Sequence, residues 1–203
     1  MEQHPAEKQA AAPGTGLNHG LVHIFGHRDT LSLDARQRFR LPDQLVARLH
    51  EEMGRVAGES KLSPAALQRL AFYFVPGTDQ RIFLYPAQNI ETAISRFESP
   101  PAGEDPALVR AARDYFYSMM VFVEADRQNR LQIPEPLCEH AGMQEDERQV
   151  VLVAHNLWLS LARTQQAAEM AAVGREALDA VGPNVLDPVR TQPPSPRNDP
   201  EEA

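Results

Sequence analysis

The sequence predicts an α+β fold made of two pseudo-symmetric halves. Three observations point to it. A segment is repeated along the chain, short β-rich runs are separated by turn signals, and Pro-started amphipathic segments follow them. In the repeat, "LSLDARQRFRLPDQL" (31–45) lies beside "VEADRQNRLQIPEPL" (123–137). Asp34 aligns with Asp126, Arg38 with Arg130, Pro42 with Pro134 and Leu45 with Leu137, each offset by 92. Downstream, "FVPGTDQRIFLYP" (74–86) recurs more loosely as "LVAHNLWLSLA" (152–162). Each half reads as strand, tight turn, strand, helix, hairpin and helix.

The elements follow in order. Residues 1–20 are rich in Ala, Gly, Pro and Gln without an aromatic, and are expected to form a flexible arm. The first half spans 21–98. In "LDARQRFRLP" (33–42) an extended backbone puts Arg36, Arg38 and Arg40 on one face and Phe39 and Leu41 on the other. An outside anionic partner or a merely solvated strand face would each explain three neighbouring cations. Asp34 and Asp126 can close tight loops by accepting from backbone N–H groups just downstream. Pro42 and Pro134 suit the first turn of a helix, where no N–H donor is needed. Leu45, Val46, Leu49 and Met53 then keep helical spacing.

An insertion of the first half falls at about 54–70, and Ser63 and Pro64 within it predict a short extra helix. "FYFV" and "RIFLY" around "PGTDQ" predict a hairpin, and Pro86 is expected to open a helix over 86–97. A linking helix is expected within 99–120. The second half spans 121–181 and closes on an Ala-rich helix from 162. Residues 182–203 contain six Pro and read as a disordered tail.

The chain has 203 residues, 42% hydrophobic and 24% charged, enough to bury a substantial core. No apolar run reaches bilayer-spanning length and no signal core opens the sequence, so a cytoplasmic protein is expected. The single Cys138 reads as a reduced thiol. Net charge is -8 but unevenly spread: residues 21–50 carry five Arg against three Asp, whereas 111–150 carry four Arg against eight acids. A basic patch on an acidic chain is compatible with DNA binding, with weakened long-range attraction.

The repeated D-x-x-x-R-hydrophobic-x-hydrophobic-P element, with "RIFLYP" (81–86) after its first copy, resembles the MraZ family of bacterial transcription regulators, which carry tandem SpoVT-AbrB-type domains. "IFGHRDTLSLD" (24–34), "LCEHAG" (137–142) and "VVLV" (150–153) add to a similarity covering 24 to about 170. The resemblance implies two swapped-hairpin, AbrB-type β-barrel halves with flanking helices, assembled into a ring-like homo-oligomer. It implies nucleoid association and binding to double-stranded promoter direct repeats ahead of the division and cell-wall gene cluster, mainly as a repressor. By position, DNA contact falls on Arg36, Arg38 and Arg130, with Asp34 and Asp126 shaping the loops. Arg40, from the alternating face, and Arg127, the second loop's other cation, complete the candidate set. The Asp is expected to hold each loop while leaving the Arg fork free.

The family usually has Gly before the key Arg, where this chain has Gln37 and Asn129. If the loop needs positive φ there, Asn suits it better than Gln. The second loop is therefore expected to keep the family geometry better while being less basic. Two other readings stand beside the regulator: an oligomeric scaffold of this fold that has lost DNA, and a small AbrB-like regulator, against which tandem halves argue.

Other chemistry finds little support. His19, His23 and His27 have helical spacing for a metal trio, but the run around them favours a strand. No nucleophile motif, phosphate loop or distinctive carboxylate pair is present, so no enzyme, cofactor, metal or small-molecule substrate is expected. Phe83, Tyr85 and Trp158 read as hairpin core.

Overall fold

The computed structural model describes residues 21–60, 69–144 and 146–185. It has α+β architecture, and the described residues form eight strands, five α-helices and one 3-10 turn. In chain order these are β1 (Arg28–Ser32), β2 (Arg38–Arg40), α1 (Asp43–Ser60), β3 (Ala71–Pro76), β4 (Ile82–Pro86), the 3-10 turn (Ala87–Asn89), α2 (Ile90–Glu98) and α3 (Pro106–Met119). The remaining elements are β5 (Val121–Glu124), β6 (Arg130–Gln132), α4 (Glu135–His140), β7 (Gln149–His155), β8 (Trp158–Arg163) and α5 (Thr164–Val185).

Six strands form one antiparallel sheet in the order β1-β7-β8-β4-β3-β5, while β2 and β6 form a separate two-stranded ribbon. The expected β-barrel halves are not seen, because the sheet stays open with β1 and β5 at its edges. The pairing is reciprocal. β1 of the first repeat lies on β7 of the second, and β5 of the second lies on β3 of the first. In the ribbon Phe39 faces Leu131, its own counterpart at the 92-residue offset.

One core serves both repeats. Phe39, Leu41 and Leu45 are 1%, 0% and 0% exposed, and their counterparts Leu131, Ile133 and Leu137 are 0%, 1% and 0% exposed. All six belong to a single apolar cluster with Leu49, Met53, Leu84 and Leu152. The alternation of β2 and the helical spacing of α1 thus both bury the residues expected. A second cluster gathers Tyr85, Phe83 and Trp158 with Ile90 and Phe116 beneath α2 and α3.

Several local expectations shift. Pro42 and Pro134 stand one residue before α1 and α4, not inside the first turn. Their carbonyls accept the opening bonds from Val46 N (2.9 Å) and Leu137 N (3.0 Å), the work of an N-cap. Pro86 ends β4 with ψ 141° and pairs with Phe72, so α2 begins only at Ile90. The Val22–Gly26 stretch is not a strand. Its backbone instead bonds Asn89 Oδ1 from Val22 N (2.9 Å) and Asn156 O from Ile24 N (2.7 Å). The insertion begins inside α1, which continues to Ser60; the helix expected at Ser63 and Pro64 lies outside the described residues. The arm at 1–20 and most of the tail also lie outside them, and α5 runs to Val185. The hairpin turn holds Asp79 (φ 55°) and Gln80 (φ 54°) left-handed, the two-residue geometry whose twist suits flanking strands.

Candidate nucleic-acid interface

Each end of the β2–β6 ribbon carries one Asp-anchored loop. In the first, residues 34–37, Asp34 Oδ1 accepts from Arg36 N (2.9 Å) and Arg38 N (3.1 Å). Its Oδ2 accepts from Arg38 Nε (2.8 Å) and Nη2 (2.7 Å). In the second, residues 126–129, Asp126 Oδ1 accepts from Gln128 N (2.8 Å) and Arg130 N (3.0 Å). Its Oδ2 accepts from Arg130 Nε and Nη2, both at 2.7 Å. The turns close through Gln37 N to Asp34 O (3.0 Å) and Asn129 N to Asp126 O (2.9 Å).

Both loops need a left-handed residue, and Gln37 and Asn129 each supply it at φ 56°. That conformation aims their carbonyls across the ribbon. Gln37 O accepts from Ile133 N (3.0 Å) and Asn129 O from Leu41 N (2.9 Å), tying each loop to the other repeat.

The electrostatics follow from the geometry. The Arg38 guanidinium, with help from the Arg36 and Arg38 amides, lowers the Asp34 carboxyl to about 2 despite some desolvation. Asp126 is lowered too, chiefly by the Arg130 amide and then the Arg130 side chain. Arg38 is raised by Asp34, and the Asp126 charge adds to this.

The expectation that Arg38 and Arg130 keep free forks is corrected here. Each lays its Nε–Nη2 edge on its own Asp, because an Asp that closes the loop through Oδ1 brings Oδ2 beside the Arg four residues on. A guanidinium has five N–H donors, so three remain on each. Arg40 pairs with Asp43 at 2.7 Å, but both side chains are more than half exposed, and such pairs are weak and exchangeable. Arg36 and Arg127 stand exposed at the loop tips with no side-chain partner among the described residues. All five candidate arginines therefore lie on the ribbon or its loops.

Sequence reasoning missed one cation. Arg69 lines a cleft of about 420 Å³ with Asp126, Arg127 and Asn129. It arrives there because Ala125 N bonds Leu70 O (2.8 Å), a link between positions far apart in sequence. The cleft beside the first loop, about 380 Å³, is lined by Arg36 together with Glu135 and Glu139 of α4. The second loop was expected to be the less basic; the cleft on one side of it adds Arg69, while the cleft on the other adds Glu124.

From Gln37 to Leu41, which faces Asn129, is four residues, so the loops stand roughly 13 Å apart at about 3.3 Å per residue. Among the described residues, no three His, Cys, Asp or Glu side chains gather to hold a metal ion, and no helix is long and apolar enough to cross a membrane. No model of a known protein family matches the chain.

Proposed function

We propose that the protein is a sequence-specific DNA-binding transcription regulator of the MraZ type. It recognises promoter direct repeats, mainly as a repressor of the division and cell-wall gene cluster, as a ring-like homo-oligomer. The observation carrying this reading is the duplicated Asp-anchored loop with an unpartnered Arg at each tip. The reciprocal strand pairing supports the finer reading of interleaved, swapped-hairpin halves.

In this mechanism Arg36 and Arg127 reach the base edges or phosphates. Arg38 and Arg130 stiffen the loops and offer their remaining N–H groups, and Arg40 turns from Asp43 to a phosphate. A 13 Å loop separation is well under one helical turn of about 34 Å. One chain therefore covers one half-site at most, and neighbouring subunits must read successive repeats.

A scaffold that no longer binds DNA is the second reading, favoured by the occupied Arg38 and Arg130 forks and the net charge of -8. Fluorescence anisotropy with duplex from immediately upstream of the gene, against a scrambled duplex across a salt series, separates the two. The regulator predicts selective binding that weakens steeply with salt and is reduced in Arg36→Ala and in Arg127→Ala. Equal, weak binding to both duplexes at low salt favours the scaffold.

A further inference from the structure

A recess on the six-stranded sheet collects polar chemistry that the loops do not use. In β8, Ser160 pairs with Val153 of β7 and with Phe83 of β4, and Arg28 of β1 is the next partner of Val153. Alternation puts these side chains on one sheet face, with His155 two residues beyond Val153 and Arg81 two before Phe83. At one side Ala167 of α5 packs on Val151 and Ala162; at the other lie Phe83, Tyr85 and Trp158. Between them remains a cleft of about 140 Å³, lined by Arg28, Arg81, His155 and Ser160 with Met170 above.

The geometry points to a binding site for a small tetrahedral oxyanion of the phosphate class. Among the described residues no carboxylate lines the cleft. Asp79 takes Arg81 Nη2 at 3.2 Å. Arg81 Nε donates to Thr78 O and Nη2 also to Thr78 Oγ1, so Nη1 remains available while the guanidinium carbon lies over Phe83, 5.1 Å from the ring centroid. The exposed Arg28 has no side-chain partner among the described residues. Two guanidiniums presenting N–H pairs are well matched to phosphate oxygens.

Ser160 is 3% exposed and its Oγ lies 2.8 Å from His155 Nε2. When Nε2 carries the proton, the ring donates to Oγ and the hydroxyl proton turns to the anion. Burial first, and then Arg81, lower the His155 pKa and so favour the neutral ring, whereas an anion between the arginines favours its charged form. The volume equals roughly five water molecules at about 30 Å³ each, enough for a phosphate group. This site is independent of the DNA reading.

The chain's one tryptophan reports on it, since Trp158 stacks on His155 with ring centroids 5.4 Å apart. Inorganic phosphate is titrated into the full chain at constant ionic strength against sodium chloride, following Trp158 fluorescence and the His155 ring resonances. The expected result is a saturable response to phosphate alone, about tenfold weaker in Arg28→Ala and in Ser160→Ala, with thermal unfolding confirming that both variants fold. A parallel titration of duplex DNA at equal phosphate concentration is expected to leave His155 unmoved, because Ser160 is buried and His155 half-buried below the surface that a duplex approaches. The proposal is overturned if neither reporter saturates with phosphate, if chloride or duplex acts equally, or if both folded variants bind as the wild type does.

Discussion

The two Asp-anchored loops share a hydrogen-bond pattern almost atom for atom, including the paired Arg38 and Arg130, yet differ in their tip residues and in the charges packed beside them. Loop one holds its left-handed position with Gln37 and loop two with Asn129, at the same φ of 56°. Loop one carries its tip cation at Arg36, whose counterpart is Gln128; loop two carries it at Arg127, whose counterpart is Ala35. Loop one is flanked by Glu135 and Glu139 and loop two by Arg69. The frame and the contact surface thus vary separately. Backbone geometry depends on the Asp and its amides, whereas the charge offered outward depends on which helix or connection packs alongside.

The shared frame is broken most severely at its centre, where Phe39 and Leu131 face each other. Truncation of Phe39 to Ala is expected to cost about 3–5 kcal/mol, and of Leu131 to Ala about 2–5 kcal/mol. Urea denaturation measures both. A loss confined to one variant would mean that the ribbon is not the common support of both loops.

On the proposed function, Arg36→Ala and Arg127→Ala are each expected to weaken specific DNA binding by about 1–3 kcal/mol if they read bases. If either contacts a phosphate instead, its removal flattens the log–log salt dependence by about 0.9. Anisotropy titrations across salt assign each tip. Unchanged affinity in both variants would take the tips out of the interface.

A smaller effect separates Gln37 from Asn129. The left-handed conformation is least favourable for a long side chain, so Gln37→Gly is expected to stabilise by about 0.5–1 kcal/mol after glycine's extra unfolded-state entropy. Asn129→Gly is expected to gain less, because Asn tolerates that region. Thermal unfolding of the two variants ranks them, and equal gains would deny the distinction.

The subtlest contrast is in acid. Asp34 is held near 2 against an ordinary value of 3.8. Its stabilising effect is therefore present above about pH 4 and disappears as pH falls through about 2. Carboxyl NMR titration should find Asp34 still ionised at pH 3, and Asp126 also ionised below the usual Asp range. A midpoint for Asp34 near 3.8 would mean that the Arg38 pairing does not persist in solution.

Much of this was legible in the sequence because it depends on local chemistry. The repeat is read directly by aligning the sequence with itself, and the Asp turn, the buried alternation of Phe39 and Leu41, and the helical spacing of Leu45, Leu49 and Met53 all involve residues close along the chain. The fork occupancy of Arg38 was missed although it too is local. A carboxylate has two oxygens, and only the coordinates show that the second one faces the guanidinium. Pro86 serves both elements: it pairs with Phe72 at the end of β4 and caps the 3-10 turn that leads into α2, so the α-helix itself starts later than expected.

By itself the sequence determined the two halves, the loops and the identity of their arginines, since turn closure and periodicity are set by near neighbours. Only the tertiary structure decided that the strands exchange between repeats in an open sheet, that Arg69 joins the second loop while Glu135 and Glu139 join the first, and that Arg28, Arg81, His155 and Ser160 share one recess. Those juxtapositions come from long-range pairing and one shared core, and spacing along the chain does not by itself say which residues meet there.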